Sequence, residues 1–179
     1  MPTHFRNGVS NQAVGDPLYD YPYLDPFKYA TYANDFFTYT AGDWTVTTTE
    51  AGGGDATEAL VSGSGGLLQI LNDAGDDDLD FLQLKGEGFR YVADKNLFFK
   101  ARFKVNDATQ CDFVMGLGIT DTTPLDTTDG LYFIKIDGGT GLDFNIEKNN
   151  AVTANEDIHV MVDDTFITVA FHYDPNGGQ

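Results

Sequence analysis

The most chemically suggestive pattern in the chain is a set of polar residues at alternate positions, Asp143-Phe-Asn-Ile-Glu147. In an extended segment, residues 143, 145 and 147 share one side, at steps of roughly 7 Å, twice the strand rise per residue. Two carboxyl groups on one face raise the question of acid–nucleophile chemistry. A retaining glycoside hydrolase needs them about 5–5.5 Å apart. Asp143 and Glu147 on a single strand stand about 13 Å apart, and the residue between them is Asn145. The pattern therefore reads as a polar outer face.

Other chemistry is as thinly represented. The three histidines, His4, His159 and His172, have no metal-ligand spacing with one another or with the single cysteine, Cys111. There is no Gly-x-Ser-x-Gly elbow, no phosphate loop and no dinucleotide fingerprint. Asp76-Asp-Asp78 and the loop from Asp121 to Asp129 offer oxygens for Ca²⁺, but neither has EF-hand spacing. Acidic loops of this kind are ordinarily solvated. His172 falls on the outward side of the last strand, and Cys111 reads as a structural thiol. No cofactor, no metal and no catalytic residue is expected, and the chain is read as a non-enzyme.

Charge narrows the partners. Ten basic against 28 acidic residues give −18, which repels nucleic acid. The basic residues are unevenly placed: six of the ten lie between Lys85 and Lys104. No apolar run is long enough to span a bilayer as a helix. The first residues, MPTHFRNGVSNQ, lack the hydrophobic stretch of a signal peptide. Neither nucleic acid nor membrane is expected as a partner.

The elements that must position these residues are strands. Leu97, Phe99, Ala101, Phe103 and Val105 alternate with Lys100, Arg102 and Lys104. Phe113, Met115, Leu117 and Ile119 form a second run. Tyr132, Ile134 and Ile136 form a third, with Lys135 on the opposite side. Leu142, Phe144 and Ile146 alternate with Asp143, Asn145 and Glu147. Ile167, Val169, Phe171 and Tyr173 alternate with Thr168, Ala170 and His172. Side chains of a strand alternate between faces, so each run predicts a strand with one face in a core. Earlier strands are expected near Trp44–Thr49, Leu67–Leu71 and Leu79–Leu84; the last has apolar residues on both faces. Glycine-rich clusters at 52–55, 62–66, 72–75, 137–141 and 174–178 read as turns. Many short strands and no amphipathic helix predict an all-β jelly-roll β-sandwich. After Tyr173 the turn Asp-Pro-Asn-Gly-Gly has no returning strand. The open edge then needs cover, from further chain or from another segment.

Residues 1–33 differ from the body, residues 34–179. They hold four of the six prolines and, between Tyr19 and Tyr32, five of the nine tyrosines. Proline favours extended chain, and so aromatic a segment should lie against something. It either packs on its own body or acts as an extended N-terminal arm that docks on a neighbour. Phe5, Arg6, Tyr19, Tyr21, Tyr23, Phe27, Tyr29 and Tyr32 are the expected partner-binding residues, because aromatic side chains and arginine dominate such anchors.

The run Asp164-Thr-Phe-Ile-Thr-Val-Ala-Phe-His-Tyr-Asp174 resembles the concanavalin A-like, laminin-G-like jelly-roll superfamily. Jelly-roll glucanases of that group carry a Glu-Asp-Glu strand to which 143–147 is similar, with Asp first and Asn in the middle. More specifically, His4–Val9, Asp43–Val46, Phe99–Val105, Phe113–Leu117 and Thr120–Asp126 are similar to small phage structural proteins of podovirus-like genomes. These motifs are structural, and the resemblance extends over nearly the whole chain. It implies a capsid decoration (cement) protein. Such a protein is a jelly roll on the outer capsid surface, with its arm along the major capsid protein, present as a homo-oligomer in the virion. A carbohydrate-binding module or tail-associated adhesin on the same fold is the alternative, and a glycoside hydrolase a third reading.

Overall fold

The computed structural model describes residues 30–50, 54–72 and 78–176. It is all-β. Ten strands are described: β1 (Trp44–Thr49), β2 (Thr57–Val61), β3 (Leu67–Leu71), β4 (Leu79–Leu84), β5 (Leu97–Phe103), β6 (Phe113–Gly118), β7 (Gly130–Lys135), β8 (Gly141–Lys148), β9 (Ala151–Val160) and β10 (Ile167–Tyr173). The helical content among the described residues is two single 3₁₀ turns, at Ala41–Asp43 and Pro124–Asp126.

The chain divides into two units. One comprises Met1–Thr40 and Glu58–Ile70, the other Ala41–Thr57 and Leu71–Gln179. In the first, β2 pairs with β3. Gly66 has a positive φ of 77° and lies so close to the Asp35 carbonyl that a side chain there would collide with backbone.

The second unit holds three antiparallel sheets. β1 pairs with β4, β5 with β10, and β6-β7-β8-β9 form a four-stranded meander. The β8–β9 hairpin turns on Asn149 and Asn150, both at positive φ (53° and 61°). That is the two-residue primed turn whose twist suits a hairpin. β9 is the longest strand and β2 the first of the pair in the smaller unit; neither stands out in the sequence as an alternating run.

The core of this unit forms where the inner face of β5–β10 meets one face of the meander. Phe133, Leu142, Met161, Val169 and Ala108 are buried together, with Phe99, Ala101, Phe103, Phe113, Phe144, Ile167 and Phe171 packed around them. Aromatic rings bridge the two layers. Phe133 lies 5.0 Å from Phe144 and 6.2 Å from Phe171, and Phe103 meets Phe113 edge-on at 4.9 Å. The β5 and β10 alternations thus point inward as expected, as do Phe113 of β6 and Leu142 and Phe144 of β8, whereas Ile119 and Ile146 at the ends of those runs are exposed.

β7 corrects the expectation. Its register pairs Phe133 with Met115 and Phe144, and Lys135 with Phe113. The core face is therefore the one carrying Lys135, not Tyr132 and Ile134. Both faces of the strand are buried, Tyr132 and Ile134 included. A central strand covered on both sides gives no polar face to read.

Candidate functional site

The carboxylates of β8 are engaged by neighbouring groups. Against β9, Phe144 faces Asn155 while Leu142 faces His159, so Asp143 stands opposite a bulge of β9. Its carboxylate accepts the N–H of Asp157 at 2.7 Å, and Asp157 adopts a positive φ of 51°. A capped bulge re-aims the strand locally. Four residues on, Glu147 accepts the hydroxyl of Tyr132, and Asn145 Oδ1 is buried between the two carboxylates with no hydrogen-bond partner. The 143–147 face is half-buried rather than open, which corrects the expected polar outer face. Tyr132 covers it, and Gly116 across the ladder makes room for it, since a Cβ there would collide with Tyr132 Cα and Cβ and the Leu131 carbonyl.

Burial, and then the Glu147 hydrogen bond, push the Tyr132 phenol up to about 12. A raised folded-state value means that this contribution to stability is intact below the ordinary tyrosine value of about 10. It is lost as pH rises from there through about 12. Burial raises the Tyr91 phenol still further, so spectrophotometric titration should show late phenols of which the earlier, Tyr132, is missing in Tyr132→Phe. Glu147→Gln should move its midpoint down towards 10, because the carboxylate opposes the phenolate.

The acidic loops are held by local bonds. Asp121 accepts the N–H and hydroxyl of Thr123 at 2.9 and 2.8 Å, and these bonds hold its carboxyl below the usual range. Asp107 accepts the N–H groups of Gln110 and Thr109, with the same effect. Among the described residues, no group of three His, Cys, Asp or Glu side chains is arranged to hold a metal. Cys111 is half-buried and unbridged, and burial raises its thiol.

Of the expected partner-binding residues, Phe5, Arg6, Tyr19, Tyr21, Tyr23, Phe27 and Tyr29 lie outside the described residues. Tyr32 is described: its side chain is 48% exposed and its hydroxyl accepts the Asn34 amide at 3.2 Å.

A different surface stands out. The outward face of β5–β10 presents Phe98, Lys100, Arg102, Thr168, Ala170 and His172 to solvent, with Lys104 next along the same side. Phe98 is 73% exposed and stacks flat on His172, ring centroids 4.3 Å apart, while Asn96 holds the far nitrogen at 3.1 Å. Arg102 lies over Phe166, 3.8 Å from the ring centroid. Lys104 pairs with Asp164 at 2.6 Å. Three cations in a row beside two aromatic platforms suit an acidic surface with some apolar relief. The signal was in the sequence, in the cluster of basic residues from 85 to 104, but only the pairing with β10 shows that the cations and rings share one face.

At the edge of this layer, a cavity of about 450 Å³ opens between β9 and β10. It is lined by Phe133, Leu142, Ile158, His159, Ile167 and Thr168. Comparison with known protein families, with curated proteins and with solved structures finds no match to this chain.

Proposed function

We propose that the chain is a non-enzymatic structural protein of a tailed-bacteriophage virion. In this reading it sits on the outer surface of the capsid shell as a jelly-roll body with an aromatic N-terminal arm. The observation that carries the proposal is the exposed basic and aromatic sheet face on a chain of net charge −18. Such a face holds an acidic protein surface, and a rigid two-layer body gives it a fixed shape. The capsid as partner comes from the resemblance to small phage structural proteins, and so does the jelly-roll topology. The long-range pairings β1–β4 and β5–β10 are compatible with that topology.

The test is co-sedimentation with shells assembled from the major capsid protein of the same genome. Wild-type chain should pellet with the shells. Lys100→Glu should weaken this about tenfold and make it less salt-sensitive, as loss of a charged contact does. Deletion of residues 1–33 should abolish it. Absence of binding by the wild-type chain overturns the proposal.

The open Phe98–His172 platform also favours a second reading, a carbohydrate-binding or adhesin role, since sugars stack on exposed rings. Glycan-array binding lost in Phe98→Ala would install that reading in its place.

A further inference from the structure

The edge of β10 away from β5 carries no strand among the described residues. It borders the cavity that opens onto Phe133 and Leu142, and Thr168, Ala170 and His172 on it are exposed. An unpaired edge is a template for another strand. Which strand can approach is decided by charge, because a chain of net charge −18 repels a copy of itself except where acidic groups are few.

β10, Ile-Thr-Val-Ala-Phe-His-Tyr, has no charged side chain. β9 across the cavity carries Glu156 and Asp157, and its run is broken by the bulge at Asp143. β10 is also self-complementary. Laid antiparallel on a second β10 about Ala170, Val169 faces Phe171, Thr168 faces His172, and Asp174 comes opposite Phe166. Alternation carried one residue past each end of β10 puts Phe166 and Asp174 on the outward side with Arg102 and Lys104; Asp174 Oδ1 accepts the Asn176 N–H at 2.9 Å, and its second oxygen is the one offered to Arg102. Asp174 of the second copy therefore arrives where Arg102 already lies over the Phe166 ring at 3.8 Å, with Lys104 at 5.8 Å. Lys104 is engaged by Asp164, whereas Arg102 has no carboxylate partner among the described residues. The two-fold supplies one to each Arg102.

We infer that two copies of the chain associate through their open β10 edges, antiparallel about Ala170. They form a continuous sheet β5-β10-β10-β5 closed by reciprocal Asp174–Arg102 contacts. The inference concerns the chain alone and does not rest on the capsid reading. A consequence is that the two basic faces become one surface, doubling its contacts with whatever acidic partner it meets.

Sedimentation velocity on the purified full chain tests this. The wild type should form a dimer. Asp174→Lys and Arg102→Glu should each weaken it about tenfold or more, since each sets like charges together. The double variant Asp174→Arg with Arg102→Glu should recover it. A second measurement needs no loss of charge. In a Cys111→Ser background, Ala170→Cys should give a disulfide-linked dimer on mild oxidation, because opposed residues of antiparallel strands stand about 4.5–5.5 Å apart. Thr168→Cys, about 13 Å from its counterpart, should not. A monomer at every soluble concentration overturns the inference. So does a dimer indifferent to both single exchanges, a double variant that stays dissociated, or cross-linking at 168 equal to that at 170.

Discussion

Phe133→Ala is expected to lower the unfolding free energy by about 3–5 kcal/mol, the range for removing a large buried aromatic side chain. For a chain of this size that corresponds to a fall in Tm of about 6–20 °C. Phe133 is 3% exposed and stands at the junction of three strands. Its ring lies within 6.5 Å of those of Phe99 on β5, Phe144 on β8 and Phe171 on β10. Truncation removes both its own burial and contacts that three neighbours cannot recover by moving together, because their backbones are fixed in two different sheets. Phe98→Ala is the matched control. It lies next to Phe99 on β5, but its ring points outward on His172 and is 73% exposed. Its loss should cost less than about 0.5 kcal/mol, as exposed substitutions usually do. Urea unfolding followed by far-UV circular dichroism measures both. Comparable costs for the two substitutions would mean that the inner and outer faces of β5 are assigned the wrong way round.

The control works because β5 was legible. Alternation of Phe and Ala with Lys and Arg names both faces of a half-buried strand without further help, and β10 reads the same way. β7 was not legible. Leu131-Tyr-Phe-Ile-Lys135 has large, mainly apolar side chains at four successive positions, and the single charged residue reads as marking the solvent side. The opposite holds because a lysine can be buried when its ammonium reaches carbonyl oxygens, and nothing in the local sequence announces those. β9 was missed for another reason. It is exposed along its full length, so it has no inward face to generate alternation. What betrays it is Asn149-Asn150, a turn pair able to adopt positive φ at both residues, following a strand that was recognised. The carboxylates of 143–147 lie on one strand, as the alternation indicates. Their tasks, capping a bulge and holding Tyr132, depend on residues ten or more positions away. The basic cluster from Lys85 to Lys104 was visible as composition, but its use depends on the β5–β10 pairing, which joins residues about seventy apart.

Lys135→Glu is the second large effect expected, a loss of about 3–5 kcal/mol, the cost of leaving a buried charge without a partner. Lys135 is 1% exposed, and its ammonium donates to the carbonyls of Cys111 at 2.6 Å and Ile136 at 3.1 Å, with Thr109 at 3.5 Å. These bonds clamp the 107–112 connection onto the end of β7. Gly138 N–H donates to Thr109 O at 2.8 Å, and Asp137 N–H is held by Asp112, so the β7–β8 turn grips the same loop. A carboxylate at 135 would point an acceptor at acceptors and would sit near the Asp107 carboxylate, which now feels the lysine's charge. Lys135→Met separates charge from bulk. It keeps the apolar stem and relieves the ammonium of its desolvation, but leaves the carbonyls without their donor. Thr109 and Ile136 are exposed residues, so water can replace the lysine at their carbonyls, and the Cys111 carbonyl carries most of the loss. The expected cost is about 1–2 kcal/mol, that of one buried acceptor left unpaired. Near-equal costs for Glu and Met would show that the whole loss comes from the missing donor to the carbonyls and that a negative charge at 135 adds nothing. A Met variant as stable as the wild type with a Glu variant that fails to fold would instead show that the cage merely tolerates the charge.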